Sequence, residues 1–319
     1  MRQAAETKQA WNSRHHGDGN PMRARGTRRA RTLLVTGMLA LMFMAAPRTG
    51  NAAFDYATGN DTAPEGAAAA PAGADPAAGG ASDAAASSPA HECDVPPEVS
   101  PAQDPLPALS RAVKEGERPL TIVVLGSLSG DAGPPIGGVP GFASRLQAHL
   151  EKEFAARSLE PSFRMETVGR TRALAGELAA LIRREVLPLK PALVIWQVGR
   201  ADARQANPPN RFSQSLKEGL DILQENGIPA IIGDIQFHPQ FEALYRTDDY
   251  RNYVRWVAGK RDVPLLKRYE MIEHWASGGS VDLDSGNDAD QQAAYRFIQE
   301  CLAFQATRMI LGAAGLATR

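Results

Sequence analysis

The sequence predicts an α/β fold built on a mostly parallel, five-stranded sheet. Three observations carry this. Short apolar runs rich in β-branched residues recur along the C-terminal two-thirds and stop at polar or glycine turns. Stretches with helical apolar spacing alternate with them. One run, Ala192–Val198, is apolar almost throughout, as a strand covered on both faces must be.

The elements follow in order. Leu120–Leu125 is the first strand, and it runs into Gly126-Ser127-Leu128-Ser129-Gly130-Asp131. In an open α/β sheet, ligands sit at the carboxyl ends of such strands, so this turn marks the expected site. Phe142, Leu146, Leu150 and Phe154 space a helix over Phe142–Ala156, with His149 on its surface. Phe163–Val168 is the second strand. Leu174, Leu178, Leu181 and Val186 describe a helix over Arg172–Leu187, ended by Pro188. Ala192–Val198 is the third strand and stops at Gly199-Arg200-Ala201-Asp202. A helix over Phe212–Asn226 closes at Gly227. Pro229–Ile235 is the fourth strand, followed by Gln236-Phe237-His238-Pro239. Asp248–Lys260 is helical, Val263–Leu266 a short fifth strand, Tyr269–Trp275 a short helix and Asp290–Leu311 a long final one. Trp196, Trp256 and Trp275 read as core or partly buried aromatics.

Two segments before residue 93 have another character. Arg23, Arg25, Arg28, Arg29 and Arg31 precede the apolar run Leu33–Ala46, and small residues follow at Gly50–Ala53. Residues 1–53 therefore read as a secretory signal peptide, with an uncleaved signal anchor as the alternative and Met1 or Met22 as the start. Residues 54–92 are dominated by Ala, Gly, Pro, Asp and Ser and have too few bulky apolar side chains to offset ordering entropy, so they read as a disordered linker. Residues 93–319 form the folded domain. The protein is expected to be exported, periplasmic or associated with the cell envelope. Without residues 1–52 the chain carries 26 Lys and Arg against 34 Asp and Glu, a net charge of -8, which argues against nucleic acid as a partner. Cys93 and Cys301 are the two cysteines, and in an exported chain they are expected to form a disulfide that ties the start of the domain to its last helix. They make no metal-site pattern. The acidic stretch Asp282, Asp284, Asp288 and Asp290 lacks calcium-loop spacing and reads as a solvated loop that caps the last helix. No cofactor is expected.

The blocks Ile122-Val123-Val124-Leu125-Gly126-Ser127-Leu128-Ser129-Gly130 and Val194-Ile195-Trp196-Gln197-Val198-Gly199-Arg200-Ala201 resemble those of the SGNH (GDSL-type) hydrolase superfamily, in its exported proteobacterial branch. The resemblance covers residues 115–312. It implies a flavodoxin-like three-layer α/β/α sandwich. It also implies a site with a nucleophilic Ser after the first strand, a Gly N–H after the second, an oxyanion-binding Asn after the third and an Asp-x-x-His before the last helix. Gly169 and Gly199 match the scaffold of that site, with Arg200 beside it. The catalytic positions depart from it. Leu128 stands at the nucleophile, Ala201 at the oxyanion Asn, and the Asp282–Asn287 stretch at the Asp-x-x-His, with no His between Trp275 and Arg319.

The resemblance thus implies an ancestral ester or acyl hydrolase whose site has degenerated. Such a domain would act by binding an acyl or glycan ligand, or an envelope protein, and would touch a membrane only through an uncleaved signal anchor. The competing expectation is an active SGNH-type esterase, acylhydrolase or acetyl transferase, with Ser127 or Ser129 as nucleophile and His238 as an unusual base. His238 reads more simply as a loop residue before Pro239, His274 as a packing or surface residue, and Asp131 as a turn residue. Arg170, Arg172 and Arg200 follow the second and third strands, where they would either bind an anion or sit on the surface without special role.

Overall fold

A computed structural model describes residues 92–116, 118–127, 138–160 and 162–316. The predicted signal peptide, nearly all of the linker, and Leu128, Ser129 and Asp131 lie outside these residues. Five strands form one sheet in the order β2-β1-β3-β4-β5. They are β1 (Leu120–Ser127), β2 (Phe163–Arg170), β3 (Leu193–Gln197), β4 (Ala230–Gly233) and β5 (Leu265–Leu266). Every neighbouring pair is parallel. Chain order reverses between β1 and β3, so a topological switch point opens at their carboxyl ends.

Strand alternation builds two cores. Ile122, Val124, Leu193, Ile195 and Ile231 face one side, and Val123, Leu125, Val194, Trp196 and Ile232 face the other. The first core is covered by α1 (Pro107–Lys114), α2 (Phe142–Ala156), α8 (Arg268–Ser277) and α9 (Asp288–Ala313). The second is covered by α3 (Ala175–Leu181), α5 (Pro209–Glu225) and α7 (Asp248–Lys260). Two short helices, α4 (Arg200–Arg204) and α6 (Pro239–Leu244), follow β3 and β4. The result is a three-layer α/β/α sandwich. Among the described residues no helix is long and apolar enough to cross a membrane.

Several expectations are corrected. The helix expected over Arg172–Leu187 starts only at Ala175, because Arg172 lies in the left-handed region at φ 56° and Leu174 is extended. Beyond Leu181 it widens into a π-turn, Ile182–Val186, and tightens into a 3₁₀ turn, Leu187–Leu189, that contains Pro188. β1 and β2 each run two residues further than their apolar composition suggests, through Ser127 and Arg170, because the ladder between them continues there. Trp256 is exposed and lies 5.3 Å from the Lys217 ammonium. His149 is partly covered between helices, and its Nε2 lies 2.8 Å from Glu300 Oε1.

Cys93 and Cys301 form a disulfide. Gln305 Nε2 donates to the Cys93 carbonyl at 2.6 Å, and Trp275 Nε1 donates to the Asp94 carbonyl at 3.1 Å, so the start of the domain is fixed against α8 and α9.

Candidate functional site

A cleft opens at the switch point. Ser127 enters it from the end of β1, and Gln197, Val198, Gly199, Arg200 and Ala201 from the end of β3 and the start of α4. Arg172 and Leu178 line it from the β2–α3 side, Arg204 from α4 and Arg268 from α8.

Local physics fixes the β3 corner. Gly199 has φ 96°, a conformation that strains any L side chain. A Cβ there would also lie 2.8 Å from Ile235 Cγ1. Next to this corner, Asp202 is 1% exposed. Its carboxylate accepts from Ala175 N, at 3.2 Å to each oxygen, and from Asn207 Nδ2 at 2.7 Å. Asp202 thereby satisfies the first turn of α3 and pins α4 to it. Burial raises its carboxyl above the ordinary value, against the lowering effect of those hydrogen bonds. Tyr250 Oη donates to the Asn207 carbonyl at 2.5 Å and extends the network to α7.

The arginines are held by different means. Arg200 and Arg204 lie one turn apart on α4. The Arg200 guanidinium carbon is 4.2 Å from the Phe241 ring centroid, and that of Arg204 is 5.8 Å from Tyr245. Those two rings pack on each other with centroids 4.6 Å apart. Arg268 is 1% exposed, and its Nε donates to the Asp234 carbonyl at 2.6 Å. The Asp234 side chain is fully buried and accepts from Tyr269 N at 3.2 Å. Burial pushes its carboxyl up to about 6, with the Arg268 charge pulling the other way. The Arg172 carbonyl accepts from Gln205 Nε2 at 2.7 Å, which ties the strained residue to the segment after α4.

The sequence-derived positions separate into groups. Ser127, Gly199, Arg200, Ala201 and Arg172 meet in the cleft. Arg170 does not, and its Nη2 lies 2.5 Å from Glu185 Oε1 instead. Gly169 is buried in the ladder opposite Gly126, and its carbonyl accepts from Arg170 Nη1 at 2.6 Å. His238 lies in the loop before Pro239, as its sequence context suggests, and there it is 8% exposed and caps α6. Its Nδ1 accepts from Gln240 N at 3.3 Å, which in a neutral ring puts the proton on Nε2. Among the described residues, the cleft lining contains no His, Asp or Glu. His274 is exposed. Asn287 caps α9 through a 2.8 Å hydrogen bond from Ala289 N, and Asp288 and Asp290 lie in its first turn. Among the described residues no group of three acidic, His or Cys side chains could hold a metal.

Sequence reading did not single out Gln197, Arg204 and Arg268. A polar residue closing a buried apolar run was the available signal for Gln197. The four-residue spacing from Arg200 was the signal for Arg204. Nothing local marks Arg268, which reaches the cleft only through the β5–α8 connection.

A parallel sheet in this order, with a serine at the end of β1 and a glycine corner after β3, is the framework of an SGNH-type hydrolase. The chain belongs to the Non-GDSL lipase-like family, whose profile matches residues 92–316. Solved structures similar to it include TesA, at 18% identity over 58% of this chain and 97% of that one, with a TM-score of 0.44. A lipase/acylhydrolase from Enterococcus faecalis is 15% identical over 60% and 96% of the two chains, with a TM-score of 0.46. The acetyl xylan esterase AlAXEase is 13% identical over 57% and 96%, with a TM-score of 0.44. No curated protein gives a significant match.

Proposed function

We propose that this chain is an exported, envelope-associated SGNH-type domain that binds a ligand or partner at the former hydrolase site and no longer hydrolyses esters. The observation that carries this reading is the company Ser127 keeps. Its cleft is lined by arginines, by Gln197 and by Ala201, with no imidazole or carboxylate among the described lining residues to take a proton from a hydroxyl. Ala201 has no side-chain donor, and the loss of one oxyanion donor alone costs about a hundred- to a thousandfold in rate. Asn287, in the stretch where the resemblance asks for a base, serves as a helix cap. The hydrogen bond at His238 Nδ1 further disfavours that ring as a base through Nε2. Export is supported by the Arg-rich and apolar N-terminal pattern and by the disulfide, which suits an oxidising compartment.

The test is ester hydrolysis by the purified full-length protein over a panel of p-nitrophenyl acyl esters, beside Ser127→Ala, Ser129→Ala and His238→Ala. The expected result is turnover no faster than buffer for all four proteins. Turnover in the parent that one of these changes abolishes would establish an active esterase or acyl transferase instead.

A further inference from the structure

We infer that a crevice between α2 and α9 is a second binding site, for a small organic monocarboxylate with an apolar body and a hydrogen-bond donor. The crevice shares no lining residue with the β1–β3 cleft, so this inference stands apart from the reading above. Its volume is about 160 Å³. That is close to the roughly 150 Å³ in which a protein cavity holds a benzene ring.

Helical spacing builds the crevice. Arg145, His149 and Glu153 follow at successive turns of α2, and Glu300, Phe304, Arg308 and Leu311 make the stripe on α9 that meets them. One end of this seam is closed, because Glu300 accepts from Arg145 and, at 2.8 Å, from His149 Nε2. Beyond His149 the seam opens, with Gln103 on its third side.

Two independent observations point to the ligand. The first is the state of His149. A carboxylate can only accept, so Nε2 carries the ring proton, and the neutral ring leaves Nδ1 as an acceptor. Among the described residues Nδ1 makes no hydrogen bond, and the ring lines the crevice. Glu300 and the edge of Phe304, with ring centroids 6.1 Å apart, fix the ring's orientation. A carboxylate behind an imidazole, with the other nitrogen open, holds that nitrogen ready for a partner.

The second observation is the charge of Arg308. Its hydrogen bond goes to the neutral Gln305 Oε1, at 3.3 Å. The carboxylates of the seam are already engaged: Glu300 with Arg145, and Glu153 with Arg157 at 2.5 Å. Arg157 is in turn anchored on the Leu316 carbonyl at 3.2 Å. Among the described residues Arg308 makes no ion pair, and its guanidinium edge suits a carboxylate. A single such cation, with Glu153 on the same lining, favours one negative charge over two. Phe304 and Leu311 supply the apolar wall for the body of the ligand.

The experiment is calorimetric titration of the full-length protein with 4-hydroxybenzoate, beside benzoate, which lacks the donor, and 4-hydroxybenzyl alcohol, which lacks the charge. Saturable binding of 4-hydroxybenzoate is expected, with each comparison compound about tenfold weaker, the scale of one charge-assisted hydrogen bond. Arg308→Gln should weaken 4-hydroxybenzoate about tenfold and leave the affinity for 4-hydroxybenzyl alcohol unchanged. His149→Phe keeps a ring against Phe304 and leaves Glu300 its bond to Arg145, so it should erase the preference for 4-hydroxybenzoate over benzoate. Arg170→Gln, which alters a charge held by Glu185 elsewhere on the surface, should change nothing. The compound series on the unaltered protein is read without any variant having to fold. No saturable binding, or equal affinity for all three compounds, overturns the inference. So does unchanged 4-hydroxybenzoate affinity in Arg308→Gln or His149→Phe, which would place the ligand elsewhere, or an equal loss in Arg170→Gln.

Discussion

Two buried carboxylates, Asp202 on α4 and Asp234 just beyond β4, show how single residues hold the site. Asp202 satisfies donors from α3 and from Asn207 at once. Asp202→Ala would leave both donors buried without an acceptor. The expected loss is about 2–4 kcal/mol of stability, read by urea denaturation, at roughly 1–3 kcal/mol per orphaned group. Asp234 has a different consequence. Its carboxyl titrates at about 6 in the folded chain against 3.8 for an ordinary Asp, because burial disfavours the charge. Between those values the folded state binds the proton and the unfolded state does not. This group therefore adds stability below its unfolded value and withdraws it as pH rises towards about 6. Each unit of difference corresponds to about 1.4 kcal/mol, so the effect is on the order of a few kcal/mol. Asp234→Asn keeps an oxygen for Tyr269 N and cannot titrate. The difference between parent and variant stability, followed by thermal unfolding across this pH range, should fall in step with Asp234 ionisation. A constant difference across the range would contradict this reading of the carboxyl.

At the level of elements, close packing of one helix on one strand sets the shape of the second core. Gly219 on α5 faces Trp196 on β3, and a Cβ there would lie 2.2 Å from Trp196 Cη2. The ring is fully buried and has nowhere to retreat. Gly219→Ala should destabilise by about 1–3 kcal/mol through overpacking, whereas exposed Gly259→Ala, with open space around it, should be neutral or slightly stabilising. A urea titration of both variants compares them directly. The long elements were legible from sequence because apolar period and composition decide them. The helices Phe142–Ala156 and Asp248–Lys260 fall where that pattern places them. The short ones were not. Pro107–Lys114, Arg200–Arg204 and Pro239–Leu244 are too brief to show a period, and tertiary contacts such as Asp202 to Ala175 N stabilise them. The site followed the same division. Ser127, Arg200 and Ala201 were visible because they adjoin strand ends in the chain. Arg268 joins them only after β5 has taken its place at the sheet edge.

Across the whole molecule, the disulfide is the longest-range constraint. Cys93 and Cys301 are separated by 208 residues, so their bond closes a loop around nearly the entire domain. Restricting the unfolded chain over such a loop is worth about 5 kcal/mol in the chain-entropy account. That is a large share of the roughly 5–15 kcal/mol that holds an ordinary domain folded. The native contacts around it do not depend on the covalent link alone. Gln305 still reaches the Cys93 carbonyl, Trp275 the Asp94 carbonyl, and Leu106 N the Ala313 carbonyl. Cys93→Ala with Cys301→Ala should therefore still fold to the same structure, but with a markedly lower melting temperature and urea midpoint. Because the constraint acts on the unfolded chain, the double variant should gain urea sensitivity, seen as a larger m-value as its unfolded state expands. The parent treated with reductant should move to the same midpoint. A midpoint unchanged by both the substitutions and the reductant would mean that the non-covalent clamp alone secures the start of the domain to its last helix.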